Sequence, residues 1–189
     1  MKISRLHYIT NGASEAEILT EVETVLNAGC DWLQLRVKNE QLDFLRIARQ
    51  VKTFCESRAT FIINDRVDIA QELEADGVHL GLTDMPIVEA RQILGSDKII
   101  GGTANTLEDC LMHQKDGADY IGLGPFRMTT TKKKLSPLLG LEGYQAILSS
   151  NGESISIPVI AIGGIQMEDV EQLMVKAGIY GIAVSGLIA

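Results

Sequence analysis

Tyr120-Ile-Gly-Leu-Gly-Pro-Phe-Arg-Met-Thr-Thr-Thr-Lys132 is the stretch on which the reading of the fold turns. Together with Ala118 and Asp119 before it, the run to Ile121 has the length and apolarity of a short buried strand. It ends on Gly122 and Gly124 and opens into a loop of hydroxyls and cations that continues through Lys133 and Lys134. Glycines let a backbone turn its N–H groups toward an anion with no Cβ in the way. Thr129, Thr130 and Thr131 add neutral donors, and Lys132 adds a point charge suited to phosphate. The same loop also reads as an ordinary solvated basic segment. On either reading, a buried strand that runs into a polar loop is half of a βα unit.

Outward from this unit, the same alternation fills the chain. Strands are expected at His7–Thr10, Asp31–Lys38, Thr60–Asn64, Asp76–Leu80, Lys98–Gly101, Ala118–Gly122, Ile157–Gly163 and Tyr180–Val184. Between them, helices are expected over Ser14–Ala28, Leu42–Ser57, Val67–Leu73, a segment opened by Pro86, Thr106–Lys115, Leu141–Ser149 and Glu168–Lys176. Eight βα repeats without a linker or composition break predict one (β/α)8 TIM barrel over residues 1–189. A doubly wound open sheet needs fewer strands and a glycine-rich first turn, and Thr10-Asn-Gly-Ala-Ser14 is not GxGxxG. The barrel is compact, with its final helix short or missing, because only a few residues follow the last strand. A missing helix would leave an apolar wall on strands seven, eight and one, which a partner subunit in a homo-oligomer would cover, or else would mark a truncated or partly disordered C-terminus.

Composition narrows the partners. The chain is 46% apolar and 22% charged, enough for a full core, and its net charge of −8 argues against nucleic acid or an anionic membrane. Cys30, Cys55 and Cys110 are odd in number and lack metal-type spacing, so they read as free buried thiols in a reducing cytoplasm.

A barrel carries its functional groups at the C-terminal ends of its strands. In strand two a period of two sets Trp32, Gln34, Arg36 and Lys38 on the inner face and Leu33, Leu35 and Val37 on the outer. Arg36 and Lys38 then point into the barrel mouth, where they meet an anion or an internal salt bridge to Asp65. Asp65, in Asn64-Asp-Arg66, and Asp84, in Gly81-Leu-Thr-Asp84, end neighbouring strands and suit a Mg²⁺ site whose remaining positions go to water and phosphate. Asp84 also fits a helix N-cap ahead of Pro86, and Asp65 a turn. Ile162-Gly-Gly-Ile165 and Val184-Ser-Gly186 lie where such barrels bind phosphate through backbone N–H groups. His79 reads as a hydrogen-bonded core histidine, while His7 and His113 carry no signal.

These segments together resemble the thiamine phosphate synthase family. The resemblance rests on Gln34-Leu-Arg-Val-Lys38, Ile62-Ile-Asn-Asp-Arg66, Ala75-Asp-Gly-Val-His-Leu-Gly81, the Gly122 to Lys132 loop, Pro137-Leu-Leu-Gly-Leu-Glu-Gly143 and Ile162-Gly-Gly-Ile165. It implies a Mg²⁺-dependent enzyme that joins hydroxymethylpyrimidine diphosphate to hydroxyethylthiazole phosphate and releases diphosphate. It implies that Gln34, Arg36, Lys38 and Asn64 hold the pyrimidine diphosphate, that Thr103 meets the pyrimidine, and that Asp65 and Asp84 carry Mg²⁺. It further implies Thr129, Thr131 and Lys132 at the junction of the substrates, with Lys132 on the diphosphate, and Gly164, Ser185 and Gly186 around the thiazole phosphate. Arg36, Lys38 and Lys132 would be the catalytic cations.

The chain departs from the family's pattern at Asn105, where a histidine is common, and at Phe126-Arg-Met128 and Thr130 in the loop. It departs again at Ser185-Gly186, where a Val/Ile-Ser pair is usual. The related thiazole tautomerase shares the fold and the thiazole phosphate pocket but processes no diphosphate. A non-catalytic sensor of thiamine phosphate or its precursors is the reading from another class, since ligand residues serve binding and catalysis alike.

Overall fold

The computed structural model describes residues 2–128, 137–149 and 154–186. Eight parallel strands close into a barrel in chain order: β1 (Leu6–Ile9), β2 (Trp32–Leu35), β3 (Thr60–Asn64), β4 (Gly77–Leu80), β5 (Ile99–Ala104), β6 (Tyr120–Leu123), β7 (Val159–Ile162) and β8 (Gly181–Val184). The ring is sealed by β8 against β1, with Leu6 beside Ile182 and Tyr8 beside Val184. Among the described residues seven helices connect the strands: α1 (Glu15–Asn27), α2 (Phe44–Cys55), α3 (Val67–Glu72), α4 (Ile87–Leu94), α5 (Leu107–Lys115), α6 (Gly140–Leu148) and α7 (Met167–Gln172), the last continuing as a π-helical turn over Leu173–Ala177.

The helices start where their caps require. Ser14 accepts from the Glu17 N–H and Asp43 from the Arg46 N–H, while Thr106 and Asp109 form a reciprocal capping box. Each such cap stabilises its helix by about 1 kcal/mol. Helix α1 then buries Ile18, Val22, Val25 and Leu26 against the sheet, each contributing roughly 1.5–3 kcal/mol. The outward residues of the strands, such as Leu33, Leu35, Ile63 and Ile121, join this helix-facing core.

The inward residues form a separate core, made of Trp32, Ile62, Ile99, Tyr120, Ile160 and Ala183 with Ile3 and Ile9. His7 stacks on Trp32, and Tyr120 meets both rings edge-on. These rings fit because Gly101 carries no side chain: a Cβ there would lie 2.2 Å from the Tyr120 ring carbon Cζ. The barrel interior is therefore filled with packed side chains and is not a pore.

Three differences from the sequence expectation are informative. Strand β2 stops at Leu35, short of Lys38, because Thr10 Oγ1 bridges the chain beyond it: the hydroxyl donates to the Arg36 carbonyl at 2.9 Å and accepts from the Arg36 N–H at 2.8 Å. Strand β5 extends to Ala104, past the expected Gly101, held by pairing with β6 through Ala104 beside Leu123. Among the described residues no helix follows β8, yet the outward Ile182 and Val184 are only 9% and 5% exposed. The expected bare wall is not there on β8.

Cys30, Cys55 and Cys110 are free and buried. Burial pushes all three thiols up, Cys55 and Cys110 to about 12.

Candidate active site

The barrel interior changes character along each strand. On β2 it runs from Trp32 to Gln34, on β3 from Ile62 to Asn64, and on β5 from Ile99 past Gly101 to Thr103. The polar layer is joined across the barrel: Gln34 Nε2 donates to Asn64 Oδ1 at 2.7 Å. Asn64 in turn sits beside His79 in the β3–β4 register. Both side chains are thus fixed before any ligand arrives.

Arg36 and Lys38 leave the end of β2 into the mouth. Lys38 donates to Asn11 Oδ1, and Asn11 is itself held by its N–H to Glu21 Oε2 at 2.9 Å. Among the described residues Arg36 makes no salt bridge, so the alternative of an internal Arg36–Asp65 ion pair is not realised. The two cations still feel each other: partial burial and then Arg36 push the Lys38 pKa down. A pair of like charges held this way favours a polyanion between them.

Asp65 and Asp84 come together as the sequence suggested. Asp65 follows β3 in a left-handed conformation, φ 64°, which an aspartate tolerates better than most residues. Its N–H donates to the His79 carbonyl at 2.9 Å, tying the turn to β4. Asp84 folds back in the turn after β4 and accepts from the Gly81 N–H at 2.6 Å. It does not cap α4, whose first turn follows Pro86 without a side-chain cap. The Asp65 side chain reaches solvent at the rim yet is hemmed in by protein. Burial first, and then a hydrogen bond and repulsion from Asp84, push its pKa up to about 7, against the pull of Arg36. Two hard oxygen donors crowded enough to share a proton suit a small divalent cation, which would replace that proton. The donor set therefore fits Mg²⁺, and no group of three or more metal-ligating side chains competes for it among the described residues.

Thr103 lies on the inner face of β5, next to β4. Its hydroxyl is 2.9 Å from His79 Nε2, while His79 Nδ1 is 3.0 Å from the Tyr120 hydroxyl. Gly122 makes room for the imidazole, since a Cβ there would come within 2.9 Å of His79 Cε1. Asn105 donates through Nδ2 to the Gly124 carbonyl and so ties the end of β5 to the loop after β6.

Across the mouth, β7 ends in the turn Gly163-Gly164, with φ of 94° and 67°, and β8 ends in Ser185-Gly186. The loop after β6 reaches this turn through two backbone bonds, Phe126 N–H to Ile162 O and Arg127 N–H to Gly163 O, both 2.9 Å. Thr129, Thr131 and Lys132 lie outside the described residues.

Gln34, Arg36, Lys38, Asn64, Asp65, Asp84, Thr103, Gly164, Ser185 and Gly186, the candidates from the sequence, all fall at or just beyond strand ends on one face of the barrel. Asn11, which holds Lys38, was not among those candidates, whereas His79 is the buried, hydrogen-bonded histidine expected. A polar residue just past β1 was the one available signal for Asn11.

Comparison with known proteins shows the family to which the chain belongs. The sequence pattern of the family described as thiamine monophosphate synthase matches residues 6–188. A thiamine-phosphate synthase of Flavobacterium johnsoniae is 53% identical over 188 residues, covering 98% of this chain and 88% of that one. One from Bacteroides fragilis is 51% identical, covering 97% and 91%. Among solved structures, a thiamine phosphate pyrophosphorylase from Pyrococcus furiosus superposes with a TM-score of 0.79 at 34% identity, covering 96% of this chain and 85% of that chain.

Proposed function

Because the chain belongs to the thiamine monophosphate synthase family, we infer that it is a thiamine-phosphate synthase, a transferase joining a pyrimidine diphosphate to a thiazole phosphate. The observation that carries this reading is the Asp65–Asp84 carboxylate pair at the ends of β3 and β4, beside the cations Arg36 and Lys38. A thiazole tautomerase of the same fold has no diphosphate and no use for that grouping.

In this reading Arg36 and Lys38 bind the diphosphate, and the Gln34–Asn64 pair orients it. Asp65 and Asp84 would hold Mg²⁺, which when bound supplies positive charge to the diphosphate oxygens. The bond between the pyrimidine methylene and the diphosphate oxygen breaks, and the leaving oxygen keeps the electron pair. Arg36, Lys38 and Lys132 stabilise the charge that accumulates there. The aminopyrimidine delocalises the positive charge left on the methylene, against the polar wall of Thr103 and His79. The thiazole nitrogen, held in reach by its phosphate at Gly164, Ser185 and Gly186, donates its lone pair to that carbon and forms the new C–N bond. No proton leaves the nitrogen, so the residues at the mouth need supply no strong general base.

The test is an assay with both precursors, with and without Mg²⁺. Thiamine phosphate and diphosphate should appear in equal amounts, and only with both precursors and the metal present. Tight binding of the precursors without turnover would make the protein a sensor instead.

A further inference from the structure

Arg127, in the loop after β6, is bonded through both its backbone and its guanidinium. Its N–H donates to the Gly163 carbonyl at 2.9 Å, and its Nη1 donates to the Gly164 carbonyl at 3.1 Å. The same guanidinium grips the Asp169 carboxylate in a fork, Nη1 to Oδ2 and Nη2 to Oδ1, the latter at 2.6 Å. Its plane lies over the Phe126 ring, 4.9 Å from the centroid. Asp169 is only 1% exposed and also accepts from the Gln166 N–H at 2.8 Å, so the anchor is rigid. The arginine holds its carboxyl below the usual carboxylate range.

The target of this grip is a pair of consecutive glycines, both at positive φ. Such a turn has the least intrinsic preference for any one orientation of its peptide planes. A peptide group is planar and trans, so its C=O and N–H point in opposite directions. With the Gly163 and Gly164 carbonyls both drawn to Arg127, the N–H groups of Gly164 and Ile165 face away from it. Neither N–H has an acceptor among the described residues. Ile165 is only 7% exposed, so an N–H there needs an acceptor from elsewhere.

We propose that Arg127 is a positioning residue: anchored on Asp169, it locks the Gly163-Gly164 turn so that two adjacent N–H groups are presented to the thiazole phosphate. The inference rests on the assignment of Gly164 to that phosphate. Arg127 itself touches no substrate.

The experiment compares binding of hydroxyethylthiazole phosphate with that of the unphosphorylated alcohol, by calorimetry and by competition in the assay. Arg127→Met keeps the stem over Phe126 and removes the fork, while Asp169→Asn keeps the arginine and removes its anchor. Both should weaken the phosphate ligand about tenfold, or roughly 1.4 kcal/mol, leave the alcohol unchanged, and raise the KM for the thiazole phosphate with kcat and the pyrimidine KM retained. Equal weakening of both ligands, or a lower melting temperature with unchanged KM, would reduce Arg127 to a structural residue and overturn the proposal. Gly164→Ala separates the two layers. If it weakens phosphate binding while the Arg127 and Asp169 variants do not, only the positioning role fails. If it too leaves phosphate binding unchanged, the cradle assignment fails and the proposal with it.

Discussion

His7 lies face to face on Trp32, ring centroids 4.2 Å apart and planes 11° from parallel. Its Nε2 is 3.0 Å from the Ser4 carbonyl, an acceptor, so the proton resides on that nitrogen. Burial, only partly offset by that bond, pushes the imidazole pKa down to about 3. The folded chain therefore holds His7 neutral over a range in which the unfolded chain protonates it.

The sign follows. A histidine with a depressed folded pKa contributes its full stability above about pH 6.5 and loses it as pH falls toward 3, at about 1.4 kcal/mol per pH unit. Trp32 is the one tryptophan of the chain and reports the transition directly. Urea midpoints followed by its fluorescence should fall between pH 6.5 and 5, and His7→Phe, though less stable at pH 8, should show a flatter limb. An equal slope in both proteins would clear His7 of any role in acid sensitivity.

Asp65→Asn retains a residue that accepts the left-handed conformation at φ 64° and removes one of two crowded charges. With a folded pKa raised to about 7, Asp65 lowers stability as pH rises from about 4 through 7. At pH 8 without metal the variant should therefore melt higher than the parent. Mg²⁺ should raise the melting temperature of the parent but not of the variant, and half-maximal activity should need at least about tenfold more metal. Identical Mg²⁺ titrations would remove Asp65 from the metal site.

Thr103→Ser keeps the hydroxyl beside His79 Nε2, whereas Thr103→Val keeps the shape and leaves the imidazole nitrogen without that partner. The serine variant should retain turnover. The valine variant should lose about 1–3 kcal/mol of stability and raise the KM for the pyrimidine diphosphate. Similar kinetics for both variants would place the pyrimidine elsewhere.

Gly101→Ala forces a methyl group to within 2.2 Å of the Tyr120 ring. Overpacking of this kind costs about 1–3 kcal/mol and here should sit at the upper end. Tyr120→Leu vacates the space, so the double variant should be more stable than the sum of the single effects allows. Additive losses in denaturant unfolding would show that the barrel relaxes around the methyl group.

If Lys132 serves the departing diphosphate, as proposed, Lys132→Ala should lower kcat on the order of a hundredfold while changing thiazole phosphate binding much less. Unchanged kcat with a raised thiazole KM would assign Lys132 to the other phosphate.

The barrel was legible because its signal is local and repeated: each buried strand announces itself by composition and each helix by its face. The placement of Gln34, Asn64, Asp65 and Asp84 at the barrel mouth was legible because the strand ends were legible. What the sequence hid depends on partners far along the chain. Strand β2 ends early because of a hydroxyl on Thr10, 26 positions before Arg36. His7 is silent in its own segment and acquires meaning from Trp32 and Tyr120 on two other strands. Gly101 and Gly122 look like turn formers, yet they serve as clearances for rings on neighbouring strands.

The three sheltered thiols have a practical corollary. With Cys55 and Cys110 pushed up to about 12, almost no thiolate exists at either in the native protein at neutral pH, and all three cysteines are buried. Alkylating reagents and peroxide can then reach them only when a wall of the barrel opens. The rate at which each cysteine is labelled under native conditions becomes a clock: Cys30 times the opening of the segment entering β2, Cys55 that of α2, and Cys110 that of α5.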